Sequence, residues 1–259
     1  VGTGAEVDLE FVTCEGNAAD QGGAVWVAAG GDFGARSTGL LSNVATGDGG
    51  ALYTVGAAAL ACSLCVVAQN QAADGGGLFV DGAVAFSTAD GELRDNVAAG
   101  DGGGAYVANT TWAAAGTDLL ANRAARGGGL ASSSATVNLA ASVLDANTAT
   151  GAGGGAWVDG GGWSVSGITA QDQLADRGGA FAVEGGASLT VVGGSFLGHL
   201  GTTGGSVLDL VDGTVAWIVV DLGAPSGPDN GVPEITTPAG AQSYDGATST
   251  TCTAAGCSP

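Results

Sequence analysis

One segment recurs eight times, and its period restricts the chain to a stacked architecture. The clearest copy is Asn96 to Val107, NVAAGDGGGAYV. Other copies start at Asn17, Asn43, Asn70, Asn122 and Asn147, with two degenerate ones at Gln173 and His199. The lead residues step by 26, 27, 26, 26, 25, 26 and 26. A glycine keeps the same beat at Gly22, Gly49, Gly75, Gly102, Gly127, Gly153, Gly178 and Gly204. A fixed period of this size marks one unit stacked on itself.

The unit lacks the 3.6-residue periodicity of a helical repeat and alternates with period two instead. Ten residues before each lead residue stand Val7, Phe33, Leu60, Phe86, Trp112, Val137, Trp163 and Leu189, all apolar. The next position is small or polar: Asp8, Gly34, Ala61, Ser87, Ala113, Asn138, Ser164, Thr190. That is a half-buried strand. Three before the lead residue comes a second apolar column: Cys14, Leu40, Val67, Leu93, Leu119, Leu144, Ala170, Phe196. A third strand follows the glycines, as in Val25–Val27 and Ala105–Val107.

Three short strands and three turns per coil predict an all-β fold, a right-handed parallel β-helix with about 26 residues per coil. Eight full coils and a partial ninth (Gly213 to Leu222) predict a rod on the order of 40 Å long, from a ~4.8 Å strand spacing. The solenoid is expected over residues 1–222, and a separate tail or cap over 223–259. The stretch 223–240 holds four of the five prolines. The tail caps the last coil, drapes along the rod, or adds to a partner. No polar cap precedes the first coil strand, so its edge is expected to be open to association.

The asparagines at 17, 43, 70, 96, 122 and 147 read as an amide ladder between coils. Asn also tolerates the left-handed conformation of sharp turns. His199, the sole histidine, occupies this column and reads as an Asn substitute rather than a base.

Formal net charge is -20, and the only cations are Arg36, Arg94, Arg123, Arg126 and Arg177. Without a basic patch the chain is not expected to bind nucleic acid. Anionic lipid is disfavoured for the same reason, and no apolar run is long enough to insert in a membrane. Methionine is absent, so Val1 is expected to be a processing or fragment boundary rather than a translation start.

Cys252 and Cys257 are expected to pair, which implies an oxidising compartment. Cys62 and Cys65 form a C-x-x-C without the βαβ context of a redox motif. They read as a local structural disulfide or two buried thiols. Cys14 is left over, too far from Cys65 to bridge to it.

The repeats resemble those of chlamydial-type polymorphic outer-membrane proteins and related bacterial β-helix surface proteins. The matching motifs are GGAV (Gly22 to Val25), GGAL (Gly49 to Leu52) and GGAF (Gly178 to Phe181). Their upstream partners are LLSN (Leu40 to Asn43), LRDN (Leu93 to Asn96) and LLAN (Leu119 to Asn122). The resemblance covers residues 1–210 and departs from the family in having Leu rather than Phe at most partner positions. It implies a secreted or surface-displayed β-helix, often adhesive.

Two columns are candidate sites. One position of the third strand holds Trp26, Tyr53, Phe79, Tyr106, Ala131, Trp157, Ala182 and Leu208. If its neighbours face the core, these aromatics form an outward stripe. Such a stripe is covered by the same chain, forms a subunit interface, or stacks on sugar rings. If the strand is inverted, the aromatics are core. The second column, before the glycines, runs Asp48, Asp74, Asp101, Arg126, Ala152, Arg177. It reads as a solvated acidic edge in which Arg126 neutralises Asp101, or as a calcium site at Asp48, Asp74 and Asp101. No other cofactor is expected. No loop gathers a catalytic cluster, so no catalytic residue and no enzyme activity is expected. The expected function is a non-catalytic extracellular or cell-surface protein, structural or adhesive, that self-associates into a fibre by end-to-end stacking. The alternative is a polysaccharide-binding or polysaccharide-cleaving module.

Overall fold

The computed structural model describes residues 1–221, 235–237, 239–242, 247–253 and 255–258. Among the described residues there is no helix. The chain winds as a parallel β-solenoid, and each coil pairs with the next in register. Val7 stacks on Phe33 and Phe33 on Leu60. The same column continues through Phe86, Trp112, Val137, Trp163, Leu189 and Val215. The second column stacks likewise, from Cys14 on Leu40 to Ala170 on Phe196.

Each early coil has four strands rather than the three expected. In the first coil they are Glu6–Glu10, Thr13–Glu15, Ala18–Ala19 and Val25–Val27. The extra strand follows the ladder residue. Its copies, such as Val44–Ala45 and Val97–Ala98, build a separate eight-stranded sheet. Two residues are too few for alternation to be legible in sequence. Their backbones still pair, and several bury one small side chain, such as Ala45, Ala98 or Ala124. In later coils strands merge across corners, two giving Leu130–Ala140 and three giving Ala156–Gln171.

The core is the column of inward side chains shared by successive coils. Phe86 and Trp112 stack with centroids 5.0 Å apart. Trp112 is fully buried, and its Nε1–H donates to Thr88 Oγ1 at 3.0 Å. A buried indole is tolerated because that one polar group is satisfied.

The C-terminal segments cap the rod. Ile235–Thr237 extends the stack parallel to Leu208–Leu210, and Gly240–Gln242 turns back antiparallel on it. Ala247–Thr253 lies antiparallel on Thr214–Asp221, and Gly256–Ser258 pairs antiparallel with that strand. Ile235 is fully buried over the last coil. Parallel stacking ends where this antiparallel pairing begins. At the other end, Val7, Leu9 and Cys14 are only partly buried.

Cys62 and Cys65 form a disulfide, with Cα atoms 5.9 Å apart, and Cys14 is a free thiol. Cys257 is disulfide-bonded and lies opposite Cys252 in the strand register. The side chain of Cys252 lies outside those described.

Candidate contact face

Three features of the rod bear on function: the amide ladder, the outward stripe and the charged column beside it.

The ladder is internal. Asn43, Asn70, Asn96, Asn122 and Asn147 are essentially inaccessible. Asn43 donates its backbone N–H and its Nδ2–H to Asn70 Oδ1, at 2.8 and 3.0 Å. Asn70 does the same to Asn96, and Asn96 to Asn122. The second Nδ2 hydrogen of each goes to a main-chain carbonyl, as from Asn96 to Val67 O at 2.9 Å. Asn17 begins the series at the exposed first coil. The left-handed conformation assigned to these asparagines falls instead on the residue before each of them. Gly16, Ser42, Gln69, Asp95, Ala121, Ala146, Asp172 and Gly198 all have positive φ. That corner turns the following side chain inward, where only an amide satisfies both neighbouring coils.

Gln173 and His199 end the ladder. Gln173 donates its backbone N–H to His199 Nδ1 at 3.3 Å, which leaves the ring proton on Nε2. Among the described residues Nε2 meets no partner in good hydrogen-bond geometry. Burial pushes the His199 pKa down to about 3, against the opposing influence of the Ala170 main chain. The ring is neutral, and its aromatic neighbour is Phe196 at 6.0 Å. It is placed as a ladder residue, not as a base.

The stripe points outward over its first half. In Val25–Trp26–Val27 the valines are buried and Trp26 is 49% exposed. Tyr53, Phe79 and Tyr106 are half-buried between core-facing neighbours. Tyr53 and Phe79 stack with centroids 5.2 Å apart and planes 15° from parallel. Phe79 and Tyr106 follow at 5.0 Å and 12°. Near-parallel rings at such separations are offset, so each covers only part of its neighbour's face.

The stripe then changes character. Ala131, Trp157 and Ala182 continue it, and all three are buried. Trp157, offered as an interface position, is instead covered by its own chain and only 4% exposed. The Arg126 guanidinium covers it, 3.9 Å from a ring centroid. Trp157 Nε1–H donates to Glu184 Oε1 at 2.7 Å. The last stripe position is Asp209, not Leu208. Leu208 pairs with Phe181 and is fully buried, while Asp209 pairs with Ala182. The step from His199 to Asp209 is ten residues, as from Asn43 to Tyr53, and not nine as from Asn17 to Trp26.

The charged column lies beside the stripe. Asp48 Oδ1 accepts the Asp74 N–H at 3.2 Å, and Asp74 Oδ1 accepts the Asp101 N–H at 2.6 Å. Arg126 grips Asp101 with two hydrogen bonds, from Nε at 2.8 Å and from Nη2 at 2.6 Å. Of the two readings offered for Asp48, Asp74 and Asp101, these contacts fit the acidic edge in which Arg126 neutralises Asp101. In-register stacking aims each carboxylate along the rod at a main-chain donor or an arginine. Among the described residues no group of three or more His, Cys, Asp or Glu side chains is gathered to hold a metal. Calcium needs six to eight converging oxygens.

The same packing shifts protonation. Burial, with the charge of Asp74, holds the Asp48 carboxyl above the usual carboxylate range. Burial and the charges of Asp101, Asp74 and Asp81 raise the Tyr106 phenol. Arg177 pairs with Asp209 at 2.9 Å and with Glu184 at 3.9 Å.

Sequence reasoning placed Arg126 against Asp101 but missed its second contact with Trp157, and missed the Arg177–Asp209 pair. A signal was available. Arginine fills the charged column in the two coils whose stripe residue is alanine: Arg126 with Ala131, and Arg177 with Ala182. A long side chain lies where the stripe leaves room.

Comparison with protein-family models, with curated proteins and with solved structures finds no match to this chain.

Proposed function

We propose that the chain is a non-catalytic, secreted structural or adhesive β-helix that acts by contact outside the cell or at its surface. The observation that carries this reading is the outward ladder Tyr53–Phe79–Tyr106, presented on a rigid stack beside a row of carboxylates. Contiguous aromatic surface at the exterior of a rod suits contact with another molecule. The lone histidine supports a non-catalytic role, because it is neutral, buried and part of the scaffold. The GGA and apolar-x-x-Asn repeats support kinship with bacterial surface β-helices.

Fibre formation by end-to-end stacking belongs to the same proposal. Three of the four strands of the first coil pair on one side only among the described residues, while Val1 bonds the free edge of the fourth, donating to Trp26 O at 2.6 Å and accepting from Ala28 N at 2.8 Å. Val1, Val7, Leu9, Cys14, Val25 and Phe33 line an open apolar cavity at that end. A further coil laid there satisfies both the backbone edge and the apolar surface. The tail gives less support than its sequence suggested, because its described strands pair with the chain's own last coil.

The half-exposed Trp26 ring favours a second reading, a polysaccharide-binding module. Incubation with a panel of polysaccharides separates these readings. Contact without chemistry predicts no new reducing ends. Steady release of reducing ends sinks the non-catalytic reading, and retention on one polysaccharide that Trp26→Ala abolishes moves the function to glycan binding.

A further inference from the structure

We propose that the face of coils two to four binds arginine side chains of a partner polypeptide. The inference rests on the contact function proposed above and names the chemistry of the contact.

The chain already shows how a guanidinium sits on this face. Arg126 reaches back one coil to a bidentate bond with Asp101 and forward one coil to lie over Trp157. Carboxylate on one side and aromatic face on the other satisfy both properties of a planar cation. Coils five to eight are thereby closed: Arg126 covers Trp157, and Arg177 neutralises Asp209.

Coils two and three carry the same two columns without the cation, whereas Asp101 in coil four is already held by Arg126. The open carboxylates are Asp48 and Asp74, beside the stacked stripe Tyr53, Phe79, Tyr106. Among the described residues no arginine pairs with Asp48 or Asp74. The carboxylates recur at the strand spacing of ~4.8 Å, close enough to repel. Offset stacking leaves part of each ring uncovered, as a stacked guanidinium requires. Charge excludes a second copy as the occupant, since two chains of net charge -20 repel face to face. Lysine fits less well, because an ammonium lacks both the bidentate fork and the flat stacking surface. The occupant is therefore an arginine-bearing segment of a different, basic partner.

The test is the affinity of the full chain for blocked hexa-arginine and hexa-lysine peptides at about 0.15 M salt. The expected result is at least about tenfold tighter binding of hexa-arginine, with that preference lost in Asp48→Asn/Asp74→Asn. Asparagine keeps the oxygen that accepts the next coil's N–H, so this variant retains the fold's hydrogen bonds. Glu6→Gln/Glu15→Gln removes the same charge from exposed positions of the first coil and is expected to change affinity by less than about twofold. Tyr53→Leu/Phe79→Leu is expected to weaken hexa-arginine more than hexa-lysine. Equal affinity for the two peptides, equal losses in the two charge variants, or no binding at all overturns the proposal. End-to-end assembly uses none of Asp48, Asp74, Tyr53 and Phe79. Fibres that persist when arginine binding fails leave the structural role standing and remove only this inference.

Discussion

Asn96 Oδ1 receives two hydrogen bonds from Asn70, one from its backbone N–H at 3.0 Å and one from Nδ2 at 2.9 Å. One oxygen thus satisfies two buried donors of the neighbouring coil, while its own amide nitrogen serves Val67 O and Asn122 Oδ1. Removal of the amide strands groups on both sides. Asn96→Ala is expected to destabilise the fold by about 3 kcal/mol or more, since each unsatisfied buried group costs about 1–3 kcal/mol. Asn17→Ala, at the exposed end of the ladder, is expected to cost about 1 kcal/mol or less. Urea denaturation midpoints of the two variants check the ordering.

His199 makes the fold acid-sensitive. Its folded pKa lies near 3, below the ordinary 6.5. The unfolded chain therefore takes up a proton that the folded chain refuses. The histidine's contribution is complete above pH 6.5 and is lost progressively as pH falls toward 3. Between pH 6.5 and 4.5 that loss is about 2–3 kcal/mol. His199→Asn restores the usual ladder residue and removes this part of the pH dependence. Denaturant unfolding of both proteins at the two pH values measures the difference.

Asp48 acts with the opposite sign. Burial raises its folded pKa above the ordinary 3.8, so the folded chain holds that proton more tightly than the unfolded one. Its stabilising effect is present below pH 3.8 and is lost as pH rises through the folded pKa. At neutral pH the Asp48 charge therefore opposes folding. Asp48→Asn is expected to raise the melting temperature at pH 7, with a gap to wild type that narrows as pH falls toward 3.8.

Ala146 is exposed, with φ at 54°, at the corner before the ladder residue Asn147. A left-handed alanine costs about 1–2 kcal/mol, part of which glycine recovers despite its larger unfolded-state entropy. Ala146→Gly is expected to stabilise the protein by about 0.5–1 kcal/mol. Differential scanning calorimetry gives the sign directly.

The sequence made the register legible because each inward column keeps its chemistry through all eight coils, as from Val7 to Leu189. It hid features that leave no period. The short strands after the ladder asparagines show no alternation, and the positive-φ corners carry residues as different as Ser42, Gln69 and Ala121. The apolar flanks of the stripe left both an outward and an inward facing open, and they did not mark its division at Ala131. That division depends on a side chain from the neighbouring column, Arg126, reaching Trp157 in the next coil. The aspartate column allowed two readings in sequence, and its contacts fit the charged edge: main-chain N–H groups take one oxygen each of Asp48 and Asp74, and Arg126 takes both of Asp101.

The central claim is that this solenoid works by contact and assembly. Negative-stain electron microscopy of the purified chain tests it most directly, at high concentration, with and without calcium. The account predicts ordered fibres with an axial repeat near one rod length, unchanged by calcium. Short rods that stay dispersed at every concentration would contradict assembly through the first coil.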